Sequence, residues 1–136
     1  SPVQSGRLVW GPDGLYLHEV FARPEEEAPL PLRGYVVRTA AGDVAESHPG
    51  TDDAWFVAAA WVDGQPAHIE AAPGPPPLAY RQAVIGRGPA LDLDLKATAA
   101  AWARDGGRLA LVQRGPDGAD EVVVRTVGGD QPSSGP

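Results

Sequence analysis

The chain repeats itself, and that constrains its fold more than any other feature. Val36-Val37-Arg38-Thr39-Ala40-Ala41-Gly42-Asp43 returns as Val123-Val124-Arg125-Thr126-Val127-Gly128-Gly129-Asp130. Upstream of each copy a tryptophan is followed closely by Asp-Gly, in Trp10-Gly11-Pro12-Asp13-Gly14 and in Trp102-Ala103-Arg104-Asp105-Gly106. A third such motif, Trp61-Val62-Asp63-Gly64, follows Ala58-Ala59-Ala60 just as Trp102 follows Ala99-Ala100-Ala101. The three tryptophans are 51 and 41 residues apart. Self-similarity in this range marks repeated supersecondary units, each of which buries its second face only by stacking on a neighbour. Asp-Gly supplies a tight turn with positive φ, and the tryptophan covers the edge of the neighbouring sheet.

The segments between the motifs read as strands, so the chain is expected to be all-β, built of antiparallel repeated units. Leu8 to Trp10 and Leu15 to Phe21 flank the first turn with β-favouring residues. Residues 22–32 carry Glu25-Glu26-Glu27 and three prolines, which suits an exposed loop. Tyr35 to Thr39 is a further strand. Trp55 to Val62 fits either a strand of a hairpin with Ala67 to Ala71 or an alanine-rich helix capped by Thr51-Asp52-Asp53. Tyr80 to Ile85 follows a proline-rich spacer.

Leu91 to Ala103 alternates with period two. Leu91, Leu93, Leu95, Ala97, Ala99, Ala101 and Ala103 take one face, and Asp92, Asp94, Lys96, Thr98, Ala100, Trp102 and Arg104 take the other. Its alanines leave a helix over 95–104 open as the alternative. Arg108 to Gln113 and Glu121 to Val127 then form a hairpin across Gly115-Pro116-Asp117-Gly118. The expected organisation is a leader at 1–6, one β domain at 7–130 with units near 7–43, 55–88 and 91–130, and a disordered tail at 131–136.

The units resemble the TolB-like β-propeller repeat, whose blades carry a Trp-Ser-Pro-Asp-Gly turn between their first strands. Ala101-Trp102-Ala103-Arg104-Asp105-Gly106-Gly107-Arg108-Leu109-Ala110-Leu111-Val112 and Trp10-Gly11-Pro12-Asp13-Gly14-Leu15-Tyr16-Leu17 carry the resemblance. Trp61-Val62-Asp63-Gly64 is one residue short. The resemblance implies propeller-blade-like sheets. Propellers have four or more blades, so three units imply a piece of a longer chain, a ring completed by several copies, or a β-sandwich in place of a propeller.

Composition narrows the function classes. The 136 residues carry 43% hydrophobic and 21% charged residues, a globular balance. Net charge is −7, Lys96 is the only lysine and the ten arginines are scattered, so nucleic acid is not an expected partner. Without cysteine there is no disulfide, zinc-thiolate or thiol chemistry. No apolar stretch approaches a membrane span. The Ser1-Pro2-Val3 start without methionine fits a processed, trimmed or recombinant product, and an extracytoplasmic or secreted location is expected, with a cytoplasmic one as the alternative.

Side chains with chemical potential are dispersed. His18, His48 and His68 lack metal-ligand spacing and read as surface or half-buried histidines. Ser47-His48 has no nucleophile elbow around it. Asp52-Asp53 and Glu25-Glu26-Glu27 lack the alternating oxygen ligands of a calcium loop. Aromatic residues are the best contact candidates: Trp55, Trp61, Trp102, Tyr16, Tyr35 and Tyr80. The reading is a non-enzymatic binding or protein-interaction module with no cofactor, whose partner is a protein or a second copy. Its contact residues are Trp102, Tyr16, Trp61, Asp92 and Asp94. The alternative is a small β-sandwich carbohydrate-binding domain or enzyme with a pocket at Trp102, Asp92 and Asp94.

Overall fold

In the computed structural model, residues 3–22, 32–75 and 77–127 are described. They form three antiparallel meanders, and the chain is all-β. The first sheet holds β1 (Val3–Trp10), β2 (Tyr16–Ala22), β3 (Leu32–Arg38) and β4 (Val44–His48), paired in chain order. The second holds β5 (Trp55–Val62), β6 (Gln65–Ala71), β7 (Leu78–Ile85) and β8 (Leu91–Ala97), again in order. The third holds β9 (Ala99–Trp102), β10 (Arg108–Arg114) and β11 (Asp120–Thr126), with β10 central. These sheets close neither a barrel nor a propeller ring.

The three Trp/Asp-Gly motifs each lie between the first and second strands of a sheet. Trp10 and Trp102 end the first strand of their sheets, Trp61 is the last residue but one of its own, and an Asp-Gly lies in the turn that follows each. Asp63 and Gly64 sit at φ 51° and 77°, the left-handed pair of a tight hairpin turn. Neighbouring motifs also join one sheet to the next. The Asp63 carboxylate accepts the Gly106 N–H at 3.1 Å, and the Asp63 N–H donates to the Arg104 carbonyl at 2.9 Å.

Two cores lie between the sheets. Leu17, Tyr35 and Val37 of the first sheet meet Ala59, with Phe56 and Trp61 packed alongside. Trp55, Val57, Ile69, Tyr80, Ala83, Leu93 and Ala97 of the second meet Leu109 and Leu111 of the third. β5 therefore serves both cores. Simple alternation would put Trp55, Val57, Ala59 and Trp61 on one face. A bulge prevents this, because Ala58 and Ala59 lie within a register shift opposite His68 and Ala58 adopts φ 54°. The extra residue inverts the facing, so Trp55 and Val57 look to the third sheet while Ala59 and Trp61 look to the first. That explains why this run shows no polar face.

The alternative of a helix over 55–62 or 95–104 is not realised, and strands occupy these segments as the alternation indicated. Other expectations are corrected. β1 begins at Val3, so the stretch read as a leader is largely strand, and β4 is a strand read as part of a loop. The alternating run 91–103 is two strands in two sheets. It breaks at Thr98, whose N–H donates to Val112 of β10, so β8 closes the second unit and the third begins at Ala99. The facing also inverts at the break: Leu93 and Ala97 pack inward in β8, but Ala100 and Trp102 do so in β9, leaving Ala99 and Ala101 exposed. The loop at 23–31 and the tail at 131–136 lie outside the described residues.

The bulge can be tested directly. Ala58→Val places a β-branched side chain at positive φ and should cost about 1–3 kcal/mol. Ala58→Gly should be neutral or stabilising by up to about 1 kcal/mol. Equal melting temperatures for all three chains would refute the bulge.

Candidate functional site

Long-range pairing brings titratable groups together in the seam between the first two sheets. Tyr35 on β3 faces inward and is 1% exposed. Its hydroxyl lies 2.7 Å from His68 Nδ1 on β6, and its ring stacks on His48 at 4.6 Å between centroids. Phe56 closes on His68 at 4.7 Å. His48 Nε2 donates to Glu46 Oε1 at 3.0 Å. Burial pushes the His68 imidazole down to about 4, and the neighbouring His48 adds to the fall. Burial raises the Tyr35 hydroxyl, helped by the Glu46 charge. A neutral imidazole beside a neutral phenol lets Tyr35 donate to Nδ1, which leaves His68 with its proton on Nε2. His68 is therefore a buried histidine, not a surface or half-buried one. Ser47 and His48 pair with Val36 and Tyr35, successive positions on β3, and so face opposite sides of β4. A cleft of about 690 Å³ opens beside them, between Glu46, His48, Trp61, Gln65 and Arg87.

The five residues singled out from sequence do not converge. Trp61 is a packing residue: its Nε1–H donates to the Val9 carbonyl at 3.0 Å. Its ring lies so close over Gly11 that a Cβ there would overlap it. Trp102 packs on the core between the second and third sheets, and its Nε1 is buried without a hydrogen-bond partner. Asp92 and Asp94 are exposed on the opposite face of β8 from the buried Leu93 and Ala97. A pocket shared by Trp102, Asp92 and Asp94 is therefore not formed. Tyr16 lies on the outer face of the first sheet, edge-on to Trp10 at 5.2 Å.

Part of that outer face is apolar and exposed. Cross-strand rows run Trp10–Tyr16–Arg38 and Leu8–His18–Val36. Trp10 is 71% exposed, Leu8 63% and Val44 52%. Arg38 Nε donates to His18 Nδ1 at 3.1 Å across the middle of the face. Burial and the Arg38 charge both lower the His18 pKa. At the other end of the stack, Ala99–Val112–Val122 and Ala101–Ala110–Val124 form two rows on the outer face of the third sheet. Val122 and Val124 are more than 60% exposed.

A second cleft, also about 690 Å³, lies where all three sheets meet. Arg7, Phe21 and Arg33 come from the first sheet, Trp55, Leu78 and Tyr80 from the second, and Ala100 from the third. The Arg33 guanidinium lies over Phe21 at 5.0 Å and Trp55 at 5.5 Å. Arg7 is paired with Glu19 at 3.1 Å and donates to the Ala59 carbonyl at 2.6 Å. Burial raises the Tyr80 hydroxyl, with Arg33 pulling the other way.

Among the described residues no three His, Asp or Glu side chains form a metal-binding group, and no helix is long and apolar enough to cross a membrane. No protein-family model matches the chain, and neither a curated protein nor a solved structure matches it. The sequence marks Tyr35 as an aromatic contact candidate and Trp10 by its Asp-Gly motif, but nothing in it marks Arg33 or the pairing of Tyr35 with His68.

Two outcomes follow from this geometry. An imidazole that titrates near 4 folded and near 6.5 unfolded takes up its proton first in the unfolded chain. The stabilisation is present above pH 6.5 and is lost as pH falls toward 4, by about 3 kcal/mol. His68→Gln keeps an acceptor for Tyr35 but cannot titrate, so its stability should fall less over that range. Parallel pH–stability curves for the two chains would refute the buried neutral histidine. For Trp102, substitution by Ala should cost about 3–5 kcal/mol. Substitution by Phe removes the orphaned N–H and should cost about 1 kcal/mol or less. Equal losses from denaturant titrations would show that packing is not the role of this ring.

Proposed function

We propose that this chain is a protein-interaction module that associates head to tail with further copies of itself. The outer face of the first sheet receives the outer face of the third sheet of a second copy. One observation carries the reading: Trp10 occupies the position of Trp61 and Trp102, and both of those pack toward the sheet that precedes theirs. Trp10 points to where a preceding sheet would lie, and there it is 71% exposed. An apolar face of this kind is costly to leave in water and marks an interaction surface.

The two end faces suit each other in shape. Leu8, Trp10 and Tyr16 are bulky, whereas Ala99, Ala101 and Ala110 are small and flanked by Val122 and Val124. Within the chain, Trp61 already seats on a residue without a side chain, Gly11. Resemblance to propeller blades supports a stack that continues beyond three sheets. The net charge of −7 supports a protein partner over nucleic acid. Such a contact joins two different patches, so it extends into rings or filaments.

Sedimentation velocity tests this. The wild-type chain should show concentration-dependent oligomers, while Trp10→Ser and Val122→Asp, each spoiling one end, should be monomeric. Mixed in equal amounts, the two variants should form a dimer capped at both ends, because each still carries the face that the other lost. A wild-type chain that stays monomeric at about 100 μM, or a mixture that does not associate, overturns the proposal.

A further inference from the structure

We propose that the cleft at the junction of the three sheets is a binding site for a small monocarboxylate with an apolar, ring-bearing body. This inference is independent of self-association, because the cleft lies away from both uncovered end faces. Its volume of about 690 Å³ is that of a small-molecule site. Phe21, Trp55, Leu78 and Tyr80 give it apolar and aromatic walls, and two guanidinium groups reach into it.

The charges decide the ligand class. Arg7 is already neutralised by Glu19 and hydrogen-bonded to the Ala59 carbonyl. Arg33 has no carboxylate partner among the described residues and is held instead by the rings of Phe21 and Trp55. Aromatic faces attract the cation but offer no lone pair in the plane of its N–H groups. The fork of donors is left for an anion, and a carboxylate matches it with two parallel hydrogen bonds. One uncompensated positive charge fits one negative charge. A wholly apolar ligand would strip water from the guanidinium without replacing its hydrogen bonds. A phosphate dianion would leave charge unmatched between apolar walls. The carboxylate therefore belongs at Arg33, with the body of the ligand against Trp55, Tyr80 and Leu78.

The test uses 2-naphthoate and its uncharged analogue 2-naphthamide, read by the indole N–H resonances of the four tryptophans. Naphthoate should shift the Trp55 resonance saturably and leave Trp10 in place. Naphthamide should bind about tenfold more weakly. Arg33→Gln should lower naphthoate affinity by about tenfold and leave the amide unaffected, while Arg33→Lys, which keeps the charge but not the fork, should fall between. If Arg33→Gln does not fold, the acid-to-amide ratio in the wild-type chain decides alone. Equal affinity for acid and amide, an Arg33→Gln chain that binds naphthoate as well as wild type, or no saturable shift at Trp55 overturns the proposal.

Discussion

The structure depends on one strand that has no solvent face. β5 is packed by the first sheet on one side and by the third on the other, and both cores are built on it. A regular strand of its composition would send all four odd-numbered residues one way. The bulge at Ala58 divides them, giving Trp55 and Val57 to one core and Ala59 and Trp61 to the other. Backbone strain at one alanine is the cost, since a residue with a Cβ disfavours positive φ by about 1–2 kcal/mol. Burial of several large apolar side chains outweighs it, at roughly 1.5–3 kcal/mol each.

Polar groups then fix the register that apolar contact leaves loose. Trp61 reaches the Val9 carbonyl, and Asp63 bonds both the N–H of Gly106 and the carbonyl of Arg104. Arg7 reaches the Ala59 carbonyl beside the bulge, and Tyr35 reaches His68 across the first seam. Apolar packing can slide at little cost, whereas the buried Tyr35–His68 bond left unmade would cost about 1–3 kcal/mol. Each sheet is thereby pinned to the next at a defined offset. The same pinning gathers three sheets around one cleft, so the ligand proposed there would bind only the assembled stack and stabilise it.

Uncovered end faces and a filled interior are two aspects of one design. A sheet buries its second face only against another layer. The second sheet has a layer on each side, whereas the first and third have one each. The first keeps Leu8 and Trp10 on its remaining face, and the third keeps Val122 and Val124. Exposure of Trp10 thus follows from its place at the end of the stack, and its sequence context differs little from that of Trp61.

Local chemistry was legible in the sequence. The Asp-Gly turns, the hairpins around them and the all-β class follow from residues that interact within a few positions, and each Trp/Asp-Gly motif places a tryptophan at or next to the end of an opening strand. What alternation could not reveal is which sheet a strand joins. The run 91–103 reads as one strand because its period is unbroken, yet the chain changes sheets at Thr98, and that turns Trp102 inward while Asp92 and Asp94 stay exposed. A bulge leaves a similarly faint trace, since Ala58 looks like its neighbours Ala59 and Ala60. Tyr35, His48 and His68 come together only through pairing between strands far apart in sequence, as do Arg33, Trp55 and Tyr80. Turn chemistry is encoded in the dipeptide that makes the turn. Burial, pKa and site geometry are properties of the stack, and they exist only once three sheets have packed.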